Sequence, residues 1–365
     1  MSKVIKVLHT EWSDGWGGQE IRIINEMIAV REQGVEVFLA CRDHAIIKQK
    51  ALENNIKVFT LPFRGNADFK TLLALKKLIK EYSIDIVNTH SGKDTWVGGF
   101  ATKLAGAKFI RTRHLSNRIR SSRANFINEL ADYIFTTGES VRVNMIKYNR
   151  INPDKILSIP TGVDSDIFNP DKYDRDISRR KFNIEDDVIC IGIVAVLRDS
   201  KRHDNFLKIA LQLKQDFSDK KFKFLIVGEG PMKKKIEILI SDLSLSNDVV
   251  MVGHIENVPE LMKALDVFLF TADRREGVPQ SVMQALLMDV NTVTTDDGST
   301  GDLYCNNNFL ISNSEYKNIY LNARIMIENL NNTLFLSKSR EFVLDKFSKK
   351  TATKKILKVY KTLVK

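Results

Sequence analysis

Arg198 and Lys201 stand three residues apart in VLRDSKRH (196–203), directly after a ten-residue apolar run, 188–197. A guanidinium offers a planar fork of donors and an ammonium a compact point charge, and two such cations where a strand turns into a helix suit a diphosphate. A second stretch, EGVPQSVMQ (276–284), follows the apolar run 267–270 and a short charged loop. Gly277 and Pro279 shape a turn, and the N–H groups from Val278 through Gln280 to Ser281 open a helix, free to cradle phosphate or sugar oxygens. Glu276, at the mouth of that turn, is an acceptor for sugar hydroxyls, and Gln284 follows it by eight residues. A third stretch, DGWGGQE (14–20), has paired glycines, Gly17 and Gly18, ahead of a helix whose N-terminus favours an anion. It is not GxGxxG, so the dinucleotide fingerprint is absent. RTRHLS (111–116) places His114 at a strand end, and THSGKDTW (89–96) supplies another polar strand end. Each stretch also has a plain structural counterpart: surface cations, an acid facing a helix dipole, a tight turn, a satisfied core histidine.

The elements that position these residues follow from hydrophobic patterning. VIKVLHT (4–10), VEVFLAC (35–41), KVFTLP (57–62) and IDIVNTH (84–90) read as buried strands, with further short strands near 108–112, 133–137 and 156–159. Helical patterns at 19–34, 44–54 and 68–82 alternate with them, which argues for βαβ units and a parallel sheet, class α/β. A second series begins at VICIGIVAVL (188–197) and continues through strands at 221–230, 249–254, 267–272 and 291–296. Between the two series lies the turn-rich SIPTGVDSDIFNPDKYDRD (158–176), a domain linker. The expected domains are residues 1–160 and 161–345, with a terminal amphipathic helix over about 346–365 that has Ile356, Val359, Tyr360 and Leu363 on one face and lysines on the other. All the chemistry-bearing stretches then share one kind of address, the carboxyl ends of parallel strands, where α/β sheets bind ligands.

Composition narrows the function classes. The 365 residues are 43% hydrophobic and 28% charged, ordinary for a globular chain of two domains. The longest apolar run is too short to span a bilayer, and MSKVIKVLHTEW enters a strand pattern without signal-peptide architecture. Cys41, Cys190 and Cys305 form no CxxC pair, as expected of a reduced cytoplasmic protein. The net charge of +11 is uneven: residues 1–160 hold 25 Lys and Arg against 16 Asp and Glu, and residues 346–365 hold eight lysines and no acid. No acid lies between Asp94 and Glu129, where Lys103, Lys108, Arg111, Arg113, Arg118, Arg120 and Arg123 accumulate. This asymmetry points to an anionic partner, a membrane surface above all, with a solvated basic face as the plain alternative. Nucleic acid is not expected, because no RNP-like aromatic motif or recognition-helix pattern accompanies the charge. No His/Cys metal cluster and no paired-acid motif at a strand end is visible.

Taken together, GGQE, IPTGVDSDIFNP, VLRDSK, LIVGEGP and VVMVGHIENVPELMKALDVFLFTADRREGVPQSVMQALL resemble the retaining glycosyltransferases of family 4 over nearly the whole chain. The resemblance implies the GT-B fold, two facing Rossmann-like domains with parallel sheets and a deep cleft between them. It implies metal-independent transfer of a sugar from a nucleoside-diphosphate-sugar to a lipid-linked or glycan acceptor, as in bacterial lipopolysaccharide, O-antigen and capsule synthesis. The expected location is the cytoplasmic face of the inner membrane. Catalytic roles are implied for His114, Glu276, Arg198 and Lys201. Donor contacts are implied for Gly17, Gly18, Gly228, His254, Ile255, Gly277, Val278, Pro279, Gln280, Ser281 and Gln284. The acceptor face is read at Gln19, His90, Ser91, Lys93, Arg111 and Arg113. Two positions depart from the family pattern. Gln284 stands where the family has a second Glu that holds the ribose hydroxyls, and Arg202 stands where it has a glycine. An amide can both accept from and donate to a hydroxyl, at a difference of about 1 kcal/mol from a charge-assisted bond. A non-catalytic nucleotide-sugar-binding protein and a nucleotide-sugar epimerase on the same architecture remain the alternatives.

Overall fold

The computed structural model describes residues 3–114, 119, 123–273, 277–304, 310–330 and 336–365. The described residues form two compact units, one of residues 1–162 with 349–365 and one of residues 163–348.

In the first unit the chain runs β1 (Lys6–Glu11), α1 (Gly18–Arg31), β2 (Glu36–Cys41), α2 (Ile46–Glu53), β3 (Lys57–Thr60), α3 (Phe69–Glu81), β4 (Ile86–Thr89), α4 (Gly92–Ala105), β5 (Lys108–Arg113), β6 (Tyr133–Thr136), α5 (Glu139–Asn149) and β7 (Ile156–Ser158). All seven strands are parallel, in the order β3-β2-β1-β4-β5-β6-β7. The chain works outward from β1 to β3, then returns to place β4 on the other side of β1, in register from Val7 opposite Ile86 to Thr10 opposite Thr89. Helices cover both faces, which is why the strands are rich in β-branched and aliphatic residues instead of alternating. One face packs Val7, Ile86 and Ile110 against Ile23 and Met27 of α1, and the other packs Leu8 and Val87 against Leu75, Val97 and Ala101 of α3 and α4.

The second unit runs α6 (Arg175–Lys181), β8 (Val188–Val194), α7 (His203–Asp216), β9 (Lys221–Val227), α8 (Lys233–Asp242), β10 (Val249–Gly253), α9 (Val258–Ala264), β11 (Val267–Phe270), α10 (Gln280–Leu287), β12 (Asn291–Thr295), β13 (Leu310–Ser312), α11 (Tyr316–Glu328) and α12 (Leu336–Phe347). Its six parallel strands are ordered β10-β9-β8-β11-β12-β13, so the reversal falls between β8 and β11. The three-residue β13 escapes a pattern reading because it is too short to carry a period. The apolar run 188–197 yields a strand only to Val194; beyond it the Leu197 N–H donates to the Glu229 carbonyl at 3.0 Å.

The last helix, α13 (Lys349–Val364), belongs to the first unit. Ile356, Val359 and Tyr360 are buried with Val7, Ile23 and Met27, and Leu363 is half-buried at the same cluster. Lys350, Lys354, Lys358 and Lys361 recur at helical spacing on its exposed side.

Gly228, just past β9, shows how tightly the strand ends of the second unit are drawn together. Its φ is +136°, and a Cβ built there would lie 2.0 Å from the Ala195 carbonyl oxygen. Gly228→Ala is therefore expected to cost at least about 2 kcal/mol in urea-induced unfolding, from backbone strain and a backbone clash that no side-chain rotamer relieves.

Candidate functional site

The polar residues of the first unit converge at the carboxyl ends of β1, β4 and β5. Asp94, fully buried in the first turn of α4, joins three segments. Its carboxylate accepts from Thr10 Oγ1 on β1 (2.6 Å), from the N–H groups of His90 (3.0 Å) and Ser91 (2.8 Å) after β4, and from the Ser91 hydroxyl. This is a capping box: Ser91 caps α4 and Asp94 reaches back to the cap. On β1, Glu11 is also fully buried. Its carboxylate accepts the Trp12 and Ser13 N–H groups, each at 2.8 Å, and Gln19 Nε2 at 2.5 Å, so one side chain grips both ends of the loop that carries Gly17. Burial, then the Asp94 charge, push the Glu11 carboxyl up to about 8, against the pull of the Ser13 and Gln19 hydrogen bonds. At the start of α1 the Gly17 N–H donates to Glu20 Oε2 at 2.9 Å, and the space where a Gly18 Cβ would stand is open.

His90 and His114 meet. His90 Nδ1 lies 2.9 Å from His114 Nε2, and His90 Nε2 lies 2.9 Å from Nδ1 of a third histidine, His9, on β1. Burial holds all three imidazoles well below the usual range, His9 at about 3. For His114 the guanidiniums of Arg22, Arg111 and Arg113 push in the same direction. Arg22, on α1 and buried, donates to the Ile159 carbonyl at 2.5 Å and sits 3.9 Å from Glu26. Glu26 in turn receives Asn88 Nδ2 at 3.3 Å and the Tyr360 hydroxyl at 3.4 Å, which ties α13 to the same cluster. Arg111 is buried and spent internally: Nη1 donates to Thr95 Oγ1 and, at 3.4 Å, to the Ser91 carbonyl. Lys93 is exposed, its ammonium 3.8 Å from the centre of the Trp12 ring. Arg113 is half-buried at the end of β5.

In the second unit the site residues lie past β8, β9, β10 and β11. Arg198 is exposed and makes no ion pair among the described residues, and Lys201 Nζ lies 5.0 Å from the Phe270 ring centre. The loop that carries them is clamped to β11: Thr271 Oγ1 donates to the carbonyls of Lys201 and Arg202, each at 3.0 Å, and the Asp273 N–H donates to the Ser200 carbonyl at 3.1 Å. Arg202 has φ +51°, the left-handed region that glycine enters without strain. Its guanidinium compensates by binding Asp204 through two bonds of 2.9 Å and Asp273 at 2.6 Å. That accounts for an arginine at a position where the resemblance implies a glycine. Gln280, Ser281 and Gln284 form the half-buried polar side of α10, opposite buried Val282, Met283 and Leu286. Pro279 ends the turn and leaves the first N–H groups of α10 without a side-chain cap, while Gly277 and Val278 lead into it. His254 is exposed and Ile255 half-buried just after β10. Glu276, Arg118, Arg120 and Cys305 lie outside the described residues.

Two family profiles match this chain, one to each part. Residues 16–167 match the profile described as Glycosyltransferase Family 4, and residues 174–333 match Glycosyl transferases group 1. The chain is a GT-B glycosyltransferase. Among its relatives is the UDP-Gal:alpha-D-GlcNAc-diphosphoundecaprenol alpha-1,3-galactosyltransferase of Escherichia coli, 23% identical over 77% of this chain and 76% of that one. The crystal structure of a glycosyltransferase from Rickettsia africae superposes with a TM-score of 0.89 over the full length of both chains at 20% identity. That of Anabaena HepE in complex with UDP does so with 0.83 over 98% of this chain and 100% of the other, at 16% identity.

Residue patterns singled out His90 and His114 in this glycosyltransferase but passed over His9, Glu11, Arg22 and Asp94. Two signals for them stand in the sequence. Ser91 and Asp94 have capping-box spacing, and His9 and Glu11 are ionisable residues two apart at the carboxyl end of one strand, hence on one face.

The raised Glu11 carboxyl has a thermodynamic consequence. Between its ordinary value of 4.5 and about 8 the folded enzyme holds a proton that the unfolded chain releases, so stability falls as pH rises through that window, by at most about 1.4 kcal/mol per pH unit. Glu11→Gln keeps an oxygen for the two N–H groups and removes the titration. The difference in melting temperature between variant and wild type should grow in the variant's favour from pH 5 to pH 8, and a constant difference would refute the assignment.

Proposed function

We propose that the chain transfers a sugar, with retention of anomeric configuration, from a nucleoside-diphosphate-sugar to a hydroxyl of a growing lipid-linked bacterial surface glycan of the lipopolysaccharide, O-antigen or capsule type. The observation that carries this reading is the loop from Arg198 to Lys201, clamped by Thr271 beside β11 at the reversal point of the second sheet. There a guanidinium with no ion pair among the described residues, an ammonium and the N-terminus of α10 stand at neighbouring strand ends, an arrangement suited to neutralising a departing diphosphate without a metal. In this reading Glu276 holds hydroxyls of the donor sugar, Gln284 the ribose, and His254 and Ile255 border the base. On the first unit, Gly17, Gly18 and His114 are assigned to the donor, and Gln19, His90, Ser91, Lys93, Arg111 and Arg113 to the acceptor. The acceptor hydroxyl attacks on the face that the nucleotide leaves, and the departing phosphate takes its proton, so no side-chain nucleophile is required. The E. coli relative, whose name specifies UDP-Gal and a diphosphoundecaprenol acceptor, and HepE, solved with UDP, support this choice of substrates.

Purified protein incubated with a panel of nucleotide sugars and a diphosphoundecaprenol-linked sugar should release nucleoside diphosphate. Arg198→Ala should lower kcat/KM at least about tenfold, the effect of about 1.4 kcal/mol on leaving-group stabilisation. Glu276→Ala should abolish transfer, and Gln284→Glu should shift donor KM modestly. Donor binding with no turnover under any acceptor would favour a nucleotide-sugar-binding protein instead, and interconversion of the donor sugar an epimerase.

The acceptor's lipid places the enzyme, in this reading, against the cytoplasmic face of the inner membrane, and α3 has the surface for it. Phe69 and Leu73 are 73% and 63% exposed, a turn apart, with Lys70, Lys77 and Lys80 exposed around them. Apolar side chains set among lysines suit the boundary between acyl chains and anionic headgroups. No helix among the described residues is long and apolar enough to cross a membrane. Replacing Phe69 and Leu73 by Ser, or Lys354, Lys358 and Lys361 by Gln, should weaken binding to phosphatidylglycerol-containing vesicles. The lysine effect should disappear in high salt. Binding indifferent to both sets would remove the membrane from the proposal.

A further inference from the structure

We propose that His9 and His90 are positioning residues that lock His114 into a single tautomer, with the proton on Nδ1, so that the first unit offers its ligand a fixed hydrogen-bond donor at that atom. The inference deepens the functional reading above, on which it rests for the claim that His114 meets the donor.

The geometry is a linear chain of three rings. His9 Nδ1 to His90 Nε2 and His90 Nδ1 to His114 Nε2 are both 2.9 Å, and the first two ring planes lie within 9° of one another. In such a chain the protons cannot be placed independently. A neutral imidazole has one donor and one acceptor nitrogen, so each link that is filled dictates the next. Only two arrangements satisfy both links: every ring protonated on Nδ1, or every ring protonated on Nε2.

The inner end distinguishes them. His9 Nε2 is buried and has no hydrogen-bond partner among the described residues. Protonation on Nε2 throughout would strand a buried N–H at that atom, whereas protonation on Nδ1 strands a lone pair there, and buried N–H groups without partners are the rarer of the two. Protonation on Nδ1 throughout leaves the His114 proton on Nδ1, the nitrogen that makes no hydrogen bond to any described residue. The Thr137 hydroxyl, 3.1 Å from the His114 carbonyl, holds the backbone that aims it.

The same dead end decides what His114 does not do. Nδ1 already carries its proton and has no lone pair for another, and a proton given up there would have to be replaced from within through His90 and His9, where His9 Nε2 has no partner among the described residues to supply it. A second proton on His114 would make an imidazolium beside the guanidiniums of Arg22, Arg111 and Arg113, which oppose it. His114 therefore binds an oxygen and leaves its proton alone, consistent with a reaction in which the departing phosphate takes the acceptor proton.

The chain has six histidines, few enough for the imidazole nitrogens to be resolved by 15N NMR on histidine-labelled full-length protein. The wild type should show His114 with a protonated Nδ1 and a bare Nε2. His9→Phe, which removes the donor to His90, should shift His114 toward the opposite tautomer and lower kcat/KM for the nucleotide sugar by roughly tenfold, about the worth of one hydrogen bond. His9→Gln, which keeps an N–H donor, should restore both. A wild-type His114 protonated on Nε2 overturns the proposal without any variant, so a variant that fails to fold does not shelter it. An unchanged His114 tautomer in a folded His9→Phe protein overturns it as well. Absence of turnover with every nucleotide sugar would sink the functional reading while the tautomer measurement still decides this one.

Discussion

The organisation of the first unit depends on a carboxylate with no access to water. Asp94 sits where the sheet reverses between β1 and β4, and it is satisfied only while Thr10, His90 and Ser91 all donate to it. An uncompensated buried carboxylate is costly enough that the three segments bearing those donors must keep their relative positions. Burial raises the Asp94 carboxyl in spite of those bonds, a sign of how little solvent reaches it. From this point the rest of the edge follows. His90 is held by its own N–H, His114 and His9 are then set by their bonds to His90, and Glu11, two residues after His9, holds the glycine loop.

The second unit solves the corresponding problem with backbone geometry. Its strand ends are pulled together at Gly228, where no side chain fits, and at Thr271, whose hydroxyl gathers two carbonyls of the neighbouring loop. The loop so held is short, carries Arg198, Lys201 and Arg202, and leaves Arg198 at the surface. Arg202 stiffens it further, since two aspartates offset a backbone conformation that would suit glycine better. One unit thus fixes its edge through buried polar side chains and the other through close backbone approach. Both place rigid structure beneath exposed, oxygen-seeking groups, the usual requirement for selective binding of a polyhydroxyl or phosphate ligand.

The C-terminal helix joins these themes. Its apolar stripe completes the core of the first unit, and its Tyr360 hydroxyl reaches Glu26, one bond from Asn88 on β4. The helix thus contributes to the buried polar cluster as well as to packing. Its outward lysines remain free to meet an anionic surface, because the buried residues occupy only one side.

Much of this protein is legible in the order of its residues. Apolar runs of five to seven positions separated by helix-length amphipathic segments determine parallel sheets with helices on both faces. The strand–turn–helix position of Gly17–Gly18, Arg198–Lys201 and Val278–Ser281 then determines that they stand at carboxyl edges, because parallel strands all present the same end. The sequence could not decide which of these residues meet. His9, His90 and His114 are separated by 81 and 24 positions, and only the reversal that sets β4 between β1 and β5 brings their ring nitrogens to 2.9 Å. Arg111 and His114 look alike as polar residues at the end of one strand. The pleat sends the first inward to Thr95 and the second toward His90 on the other face. Local pattern specifies elements and their ends; contacts between distant elements, and the protons and charges those contacts arrange, exist only once the sheet is assembled.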